Sequence, residues 1–403
     1  MPLSHLAEEI CDPPTLKLSQ KARDLKAQGE AVIHLGSGEP LNKTPQSAID
    51  HCRKLLETGE IRYSPTEGAP TLIQAIIGYT EKNYAKTVDK QNVIVCNGAK
   101  HALYTLIMTI INPDEEVIIP APYWVSYPEL VKMAYGQPVI VPCTNDQFFP
   151  NMTDISAAVT SKTRAIIINS PNNPSGAIFP DALIKELVDF CAKNDLYLIM
   201  DDIYHKLAFD NQTPVSCYSF SNGNPETSKL VVINGVSKLY GMTGFRIGWA
   251  VANHRVIAGM STIAAQTVSC ASILTQTAAV GALTGDQAPV ESLRLTLQNN
   301  RDIMLRELKQ LANVKVRVPK GTFYCLPDFS AYEKDSVKLS EYLLEKALVV
   351  TIPGKEFGIE GHLRLSYCGS EQDIIEGVAR IKWALDTQSP DTIQIGNRTV
   401  RRK

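Results

Sequence analysis

The sequence predicts an α/β protein whose mostly parallel sheet is sandwiched by helices, joined to a smaller α+β domain. Three observations carry this. Short β-branched runs alternate with longer segments of helical period; the pattern changes near residue 286 to a long charged helix and short strands; and the residues just after several strands are chemically unusual. Alternation of that kind implies βαβ units, because parallel strands need a helical crossover between them.

EVIIP (116–120), PVIVPC (138–143), RAIIINS (164–170), LYLIMD (196–201), LVVING (230–235) and RIGWAVA (246–252) read as strands buried on both faces. Between two of them, DALIKELVDFCAKND (181–195) has apolar residues at 183, 184, 187, 188 and 191, the spacing of an amphipathic helix. Beyond 286 come a helix over about 290–311, GTFYCLP, a helix at KLSEYLLEKA, a strand pair at LVVTIPG and HLRLSYC, and a last helix near DIIEGVARIKWAL. The expected division is a large domain over 45–285, a small domain made of 1–44 and 286–390, and a polar tail over 391–403 that should fray.

Composition narrows the function classes. Of 403 residues, 44% are hydrophobic and 20% charged, enough apolar material for a sizeable core. A formal charge of −2 without a basic stripe argues against a nucleic-acid binder. The nine cysteines are scattered with no C-x-x-C pair, which indicates neither zinc nor a disulfide framework and suits a reducing compartment. The N-terminal MPLSHLAEEICDPP is acidic and lacks an apolar core, and the longest apolar run, LYTLIMTII, is too short to span a bilayer, so a cytoplasmic chain without membrane contact is expected.

Ligands of open α/β sheets bind at the carboxyl ends of strands, so the residues there are the candidates. CNGAKHAL places Gly98 and Ala99 in a turn entering a helix, where backbone N–H groups and the helix dipole can meet an anion, or where there is simply a tight turn. APYWVSYPE puts Trp124 in a loop, either as a rim aromatic or as a stacking surface. PNNPSG is a rigid turn able to aim one amide. DDIYHKLAF ends an apolar strand with Asp201, a carboxylate that is costly there unless a cation or donor meets it. VSKLYGMTGFRIG has Lys238 after a β-branched run, with an arginine eight residues later.

NNPSG, DDIY, SK with that arginine, and a late RLSY, in this order and spacing, resemble the class I aminotransferases of pyridoxal-phosphate fold type I, from about Thr15 to about Leu385. APYWVSYPE and MTGFRIGWA are similar to the bacterial-type aspartate aminotransferase branch, which includes prephenate aminotransferases. The resemblance implies pyridoxal 5′-phosphate as cofactor, held covalently by Lys238, which would also move the substrate α-proton. It implies Asp201 against the pyridine nitrogen, Trp124 on the ring face, and Asn173 and Tyr204 at the phenolic oxygen. Gly98, Ala99, Ser237 and Arg246 would bind the phosphate, and Tyr63 would reach the phosphate of a neighbouring subunit, giving a homodimer with shared active sites. Arg364 would take the substrate α-carboxylate with Asn173 and the backbone of Gly38, and Lys100, in the glycine turn, the distal carboxylate; Thr15, near the N-terminal segment expected to close over the site, would contribute to substrate choice.

Two positions depart from the pattern. Gly235 stands where a phosphate-contacting serine is frequent, and Leu41-Asn42-Lys43 where aspartate and an aromatic are usual. The expected reaction is ping-pong transfer of an amino group from an L-amino acid, aspartate or glutamate, to a 2-oxo acid such as 2-oxoglutarate. An aminotransferase for aromatic or other amino acids, or a β-lyase or cyclising lyase on the same fold, stays open.

Overall fold

The computed structural model describes residues 3–10, 14–221 and 225–402. A short strand, β1 (Ile33–His34), precedes the central sheet. That sheet is built from β2 (Val93–Cys96), β3 (Glu116–Pro120), β4 (Gln137–Val141), β5 (Thr163–Asn169), β6 (Tyr197–Asp201), β7 (Leu230–Gly235) and β8 (Gly248–Val251). Their order is β2-β8-β7-β6-β5-β3-β4, with only β8 antiparallel to its neighbours. Alternate residues feed two cores. Ile94, Val117, Ile119, Ile167, Ile199 and Ile233 face one helical layer, while Val95, Ile118, Ile166, Ile168, Met200 and Val232 face the other. Burial on both faces is why these strands read as continuous apolar runs.

The expected strands and helices are present, with shifted ends that have local causes. PVIVPC stops at Val141 because Pro142 cannot donate to a ladder. RIGWAVA starts late: Arg246 has φ 55° in the left-handed region, after the turn Thr243–Phe245, and pairing begins only at Gly248. A Cβ on Gly248 would lie 2.3 Å from the Ala99 amide nitrogen, so the glycine is what lets β8 run against the Gly98-Ala99 turn.

The second region contains β9 (Tyr324–Cys325), β10 (Val349–Val350), β11 (Ile352–Pro353) and β12 (Leu363–Ser366), with β11, β12 and β9 forming one antiparallel sheet. Strand β1 pairs parallel with β10, so the N-terminal segment joins this C-terminal region. The helix Ala288–Leu308 is pinned by its buried Arg301, which donates two 2.8 Å hydrogen bonds to Asp210, in the loop after β6. Among the described residues, no helix is long and apolar enough to cross a membrane.

The tail corrects an expectation. Rather than fraying, residues 392–401 form a hairpin, β13 (Thr392–Ile395) with β14 (Arg398–Arg401), turning at Gly396, whose φ is 55°. Ile395 and Val400 are buried in the main apolar core, the Trp383 indole donates to Pro390 O at 2.8 Å, and Arg398 pairs with Glu30. Its polar composition hid an alternating pattern with one inward face. Because Ile395 is 2% exposed, Ile395→Ala should lower stability by about 2 kcal/mol. Urea unfolding checks this, and an unchanged midpoint would mean that the hairpin is undocked in solution.

Candidate active site

At the carboxyl ends of the central strands lies a cavity of about 320 Å³. It collects Gly38, Ala99, Lys100, Trp124, Asn173, Asp201, Tyr204, Ser237, Lys238, Arg246 and Arg364 from segments spread across the chain. Gly98 adjoins it through Arg246, whereas Tyr63 does not line it and is 91% exposed. The side chain of Thr15 falls outside the described residues.

Asp201 closes β6 with its carboxyl group buried. Oδ2 accepts a 2.7 Å hydrogen bond from the Tyr127 hydroxyl, while Oδ1, also buried, has no partner. Burial pushes the Asp201 pKa up to about 6, against the opposing pull of the Tyr127 hydroxyl, the Ile203 backbone N–H and the Lys238 charge. An acceptor left this way is expensive unless a ligand donor meets it. Lys238 lies across the cavity and donates to Gly38 O at 2.7 Å. Burial lowers its pKa to about 8, with the positive charges of Arg364 and Arg246 acting in the same direction.

The phosphate-side candidates meet closely. Gly98, with φ 90°, caps the helix Ala99–Ile110, and a Cβ there would stand 2.4 Å from Arg246 Nη2. Arg246 donates from Nη1 to Thr243 O at 2.9 Å and from Nη2 to Asn97 O at 3.5 Å, which leaves its guanidinium beside the first amides of that helix. A helix N-terminus, a guanidinium and the Ser237 hydroxyl make a site for a dianion. Gly235 has a structural cause: a Cβ there would come within 2.9 Å of Ile247 O, so a serine does not fit the β7–β8 pairing without a shift.

On the opposite wall Arg364 projects from β12. Its Nη1 donates to Asn173 Oδ1 and its Nη2 to Gly36 O, both at 3.0 Å, while Nε is buried without a partner. The guanidinium lies 4.2 Å from the centre of the Tyr324 ring. Trp124 stands edge-on to Tyr127, and Lys100 Nζ sits 4.9 Å from the indole centre; Lys100 is exposed at the mouth, its pKa lowered by partial burial and then by Arg246. Tyr204 packs edge-on against Phe323 and Tyr324, buried so that its hydroxyl keeps its proton.

Several residues escaped the sequence reading. Tyr324, Gly36, Asn169 and Thr243 line the cavity. Behind Asp201, the buried Asp202 accepts 2.6 Å from Tyr84, which in turn accepts 2.8 Å from Asn234 Nδ2. His205, with its pKa lowered to about 3 by burial, sits 2.7 Å from the Tyr79 hydroxyl and is neutral. DDIYH holds the Asp and His of this network, but Tyr79 and Tyr84 come from an ordinary helix, Pro70–Tyr84, and carry no separable signal.

This sheet order, with a lysine and a carboxylate facing each other at the strand ends, defines a fold type I transferase. Residues 30–381 match the family described as aminotransferase class I and II. A probable aspartate/prephenate aminotransferase of Aquifex aeolicus is 37% identical, over 93% of this chain and 96% of the relative. An asparagine–oxo-acid transaminase of Streptococcus mutans is 36% identical, over 94% and 98%. The structure of the Thermus thermophilus aspartate aminotransferase with maleate superposes with a TM-score of 0.90 at 34% identity, over 95% of this chain and 99% of that one. The chain belongs to the class I and II aminotransferase family.

Asp201 gives a pH prediction for the cofactor-free protein. Its folded pKa, about 6, exceeds the ordinary 3.8, so the folded state holds an extra proton between those values. That contribution to stability is complete below 3.8 and lost as pH rises through 6. Asp201→Asn should therefore gain stability relative to the wild type across this interval. Urea midpoints of both proteins against pH measure it, and parallel curves would contradict the raised pKa.

Proposed function

We propose that the cleft binds pyridoxal 5′-phosphate and that the chain transfers the amino group of L-aspartate or L-glutamate to a 2-oxo acid such as 2-oxoglutarate. The observation that carries this is the buried, unpartnered Asp201 Oδ1 in the same cavity as a lysine whose pKa is lowered to about 8. A pyridine N–H is a donor that would answer that oxygen, and a neutral amine is what covalent attachment of an aldehyde requires. When bound, the cofactor supplies an electron sink at the substrate α-carbon.

The chain's own groups do the rest. Asp201, fixed by Tyr127, would keep a positive ring nitrogen charged. Lys238 titrates near enough to neutrality to accept the substrate α-proton and return it, the condition for effective general base and acid catalysis. Arg364, already held by Asn173 and Gly36, would bind the α-carboxylate with little loss of side-chain freedom. Gly98, Ala99, Ser237 and Arg246 would hold the phosphate, and Trp124 would cover one ring face. Asn173 and Tyr204 would face the ring's phenolic oxygen. Because donor and acceptor acids would share Arg364, the two half-reactions would alternate at one site.

Lys100 supports the dicarboxylate preference: it is a cation at the cavity mouth, and the names of the relatives point the same way. Tyr63 supports a homodimer with shared sites, since a tyrosine 91% exposed beside the exposed Ile61 and Leu56 suits a surface covered by a second copy. The pairing of β1 with β10 supports a small domain made of 1–44 and 286–390 beside a large one over 45–285. Free, dispersed thiols agree with a cytoplasmic location.

A panel of amino donors assayed with 2-oxoglutarate tests the reading; no turnover with any donor would refute it. Lys238→Ala should lower kcat by at least about 10²-fold and abolish the visible absorbance of covalently held cofactor. Lys100→Ala should raise KM for aspartate by about tenfold while leaving KM for an uncharged donor unchanged, and equal effects on both donors would remove Lys100 from substrate selection.

A further inference from the structure

The Arg364 guanidinium is held in two ways. Hydrogen bonds to Asn173 and Gly36 fix its edge, and the rings of Tyr324 and Phe357, centred 4.2 and 5.1 Å from it, lie against it. An aromatic face attracts a buried cation without using any of the N–H groups that a carboxylate needs. Strand register puts Tyr324 in this place. Tyr324 of β9 is the partner of Ser366 in β12, and side chains two apart on a strand share a face, so Arg364 and Tyr324 project from the same side of the small sheet. Packing alone would be served by a phenylalanine, as it is at Phe357, which leaves the Tyr324 hydroxyl to be explained.

That hydroxyl lies deep in the active cleft, which Tyr324 lines although it is 1% exposed. The chain just before it is bonded to the loop after β6: Thr322 N donates to Leu207 O, and Phe209 N to Lys320 O, both at 2.8 Å. This brings the Tyr324 ring edge-on to Tyr204, with 6.3 Å between centres, and the two hydroxyls interact. A Cβ on Gly38 would stand 3.2 Å from the Tyr324 oxygen, and Gly38 O is the group that receives Lys238 Nζ. Burial pushes the Tyr324 pKa up to about 12, so the hydroxyl keeps a proton to donate.

We infer that Tyr324 is a positioning residue for amino-group transfer, its ring supporting the Arg364 guanidinium and its hydroxyl donating to the Tyr204 oxygen. The second role follows from counting protons. A phenol has one proton to give and an oxygen that accepts. With Tyr324 donating to that oxygen, Tyr204 keeps its own proton for an acceptor in the cleft. A donor aimed at the phenolic oxygen of the cofactor stabilises negative charge there, and so favours the unprotonated form of the lysine nitrogen that holds the cofactor. The inference rests on the proposed cofactor and on Arg364 as the carboxylate site, and it gives both the same supporting residue.

Tyr324→Phe keeps the ring and removes the hydroxyl. The visible absorbance of the covalently held cofactor reports the proton on the lysine nitrogen, and in this variant the midpoint of its pH titration should rise by about half a pH unit, the size of one neutral hydrogen bond. The KM for the best amino donor should change by less than about twofold, because the ring remains. In a Tyr204→Phe background the same substitution should leave the midpoint where Tyr204→Phe alone puts it, since there is no longer an oxygen to donate to. Tyr324→Leu, which loses the ring, should raise that KM about tenfold. An unchanged midpoint in Tyr324→Phe, a shift that persists in the Tyr204→Phe background, or a wild-type KM in Tyr324→Leu would overturn the inference while leaving the cofactor in place. A loaded wild type without visible absorbance would refute the cofactor reading itself, and this inference with it.

Discussion

A carboxylate at the end of a strand buried on both faces is the constraint around which this molecule is arranged. Asp201 cannot be hydrated there, and removing an ionised carboxyl from water is among the largest penalties a fold can carry. The structure offsets that penalty only in part: the Tyr127 hydroxyl, the Ile203 backbone N–H and the Lys238 charge favour the ionised form, while Oδ1 makes no hydrogen bond of good geometry. Burial in its second layer disfavours charge there. Burial, and then the charge of Asp201, push the Asp202 carboxyl well above its ordinary range, and His205 is kept neutral. Asp201 is thus the group there that an incoming cation would recognise, and the molecule is less stable empty than a fully satisfied core would be.

Close backbone approach does the corresponding job on the anion side. Three glycines remove Cβ atoms where chains meet: Gly98 under the Arg246 guanidinium, Gly248 against the Ala99 amide, and Gly235 against Ile247 O. Each removes side-chain bulk where the chain is closely approached, and Gly248 in particular lets β8, antiparallel to β2 and β7, lie against the start of the helix Ala99–Ile110. The left-handed conformation of Arg246 belongs to the same arrangement, because a residue that continued the strand would point its guanidinium elsewhere. Such local strain is acceptable where a site needs it.

Much of this was legible in the sequence because it depends on local pattern. Buried parallel strands announce themselves as β-branched runs, and a carboxylate, an amide and an amine at their carboxyl ends stand out against that background. What was hidden depends on tertiary meeting. Tyr127 looked like one aromatic among several in APYWVSYPE, and Tyr79 and Tyr84 like the apolar face of a helix, because only the fold brings them to Asp201 and Asp202. Tyr324, stacked beneath Arg364, lies in a two-residue strand too short for any periodicity. The hairpin over 392–401 was missed for a different reason: overall polarity outweighed an alternation whose inward residues are Ile393, Ile395 and Val400.

Arg364 shows how the two regions are made interdependent. It is carried by the small antiparallel sheet, yet Asn173 in the turn after β5 and Gly36 in the N-terminal segment receive its hydrogen bonds, so three distant stretches of chain must come together for the guanidinium to point into the cleft. Lys238 repeats the linkage from the other direction by donating to Gly38 O in that same N-terminal segment. Any movement of residues 36–38 therefore changes the surroundings of both cations at once. Since the charge of Arg364 helps to depress the Lys238 pKa, neutralising that arginine with a substrate carboxylate would raise the lysine's proton affinity, and this occurs when an α-proton has to be taken up.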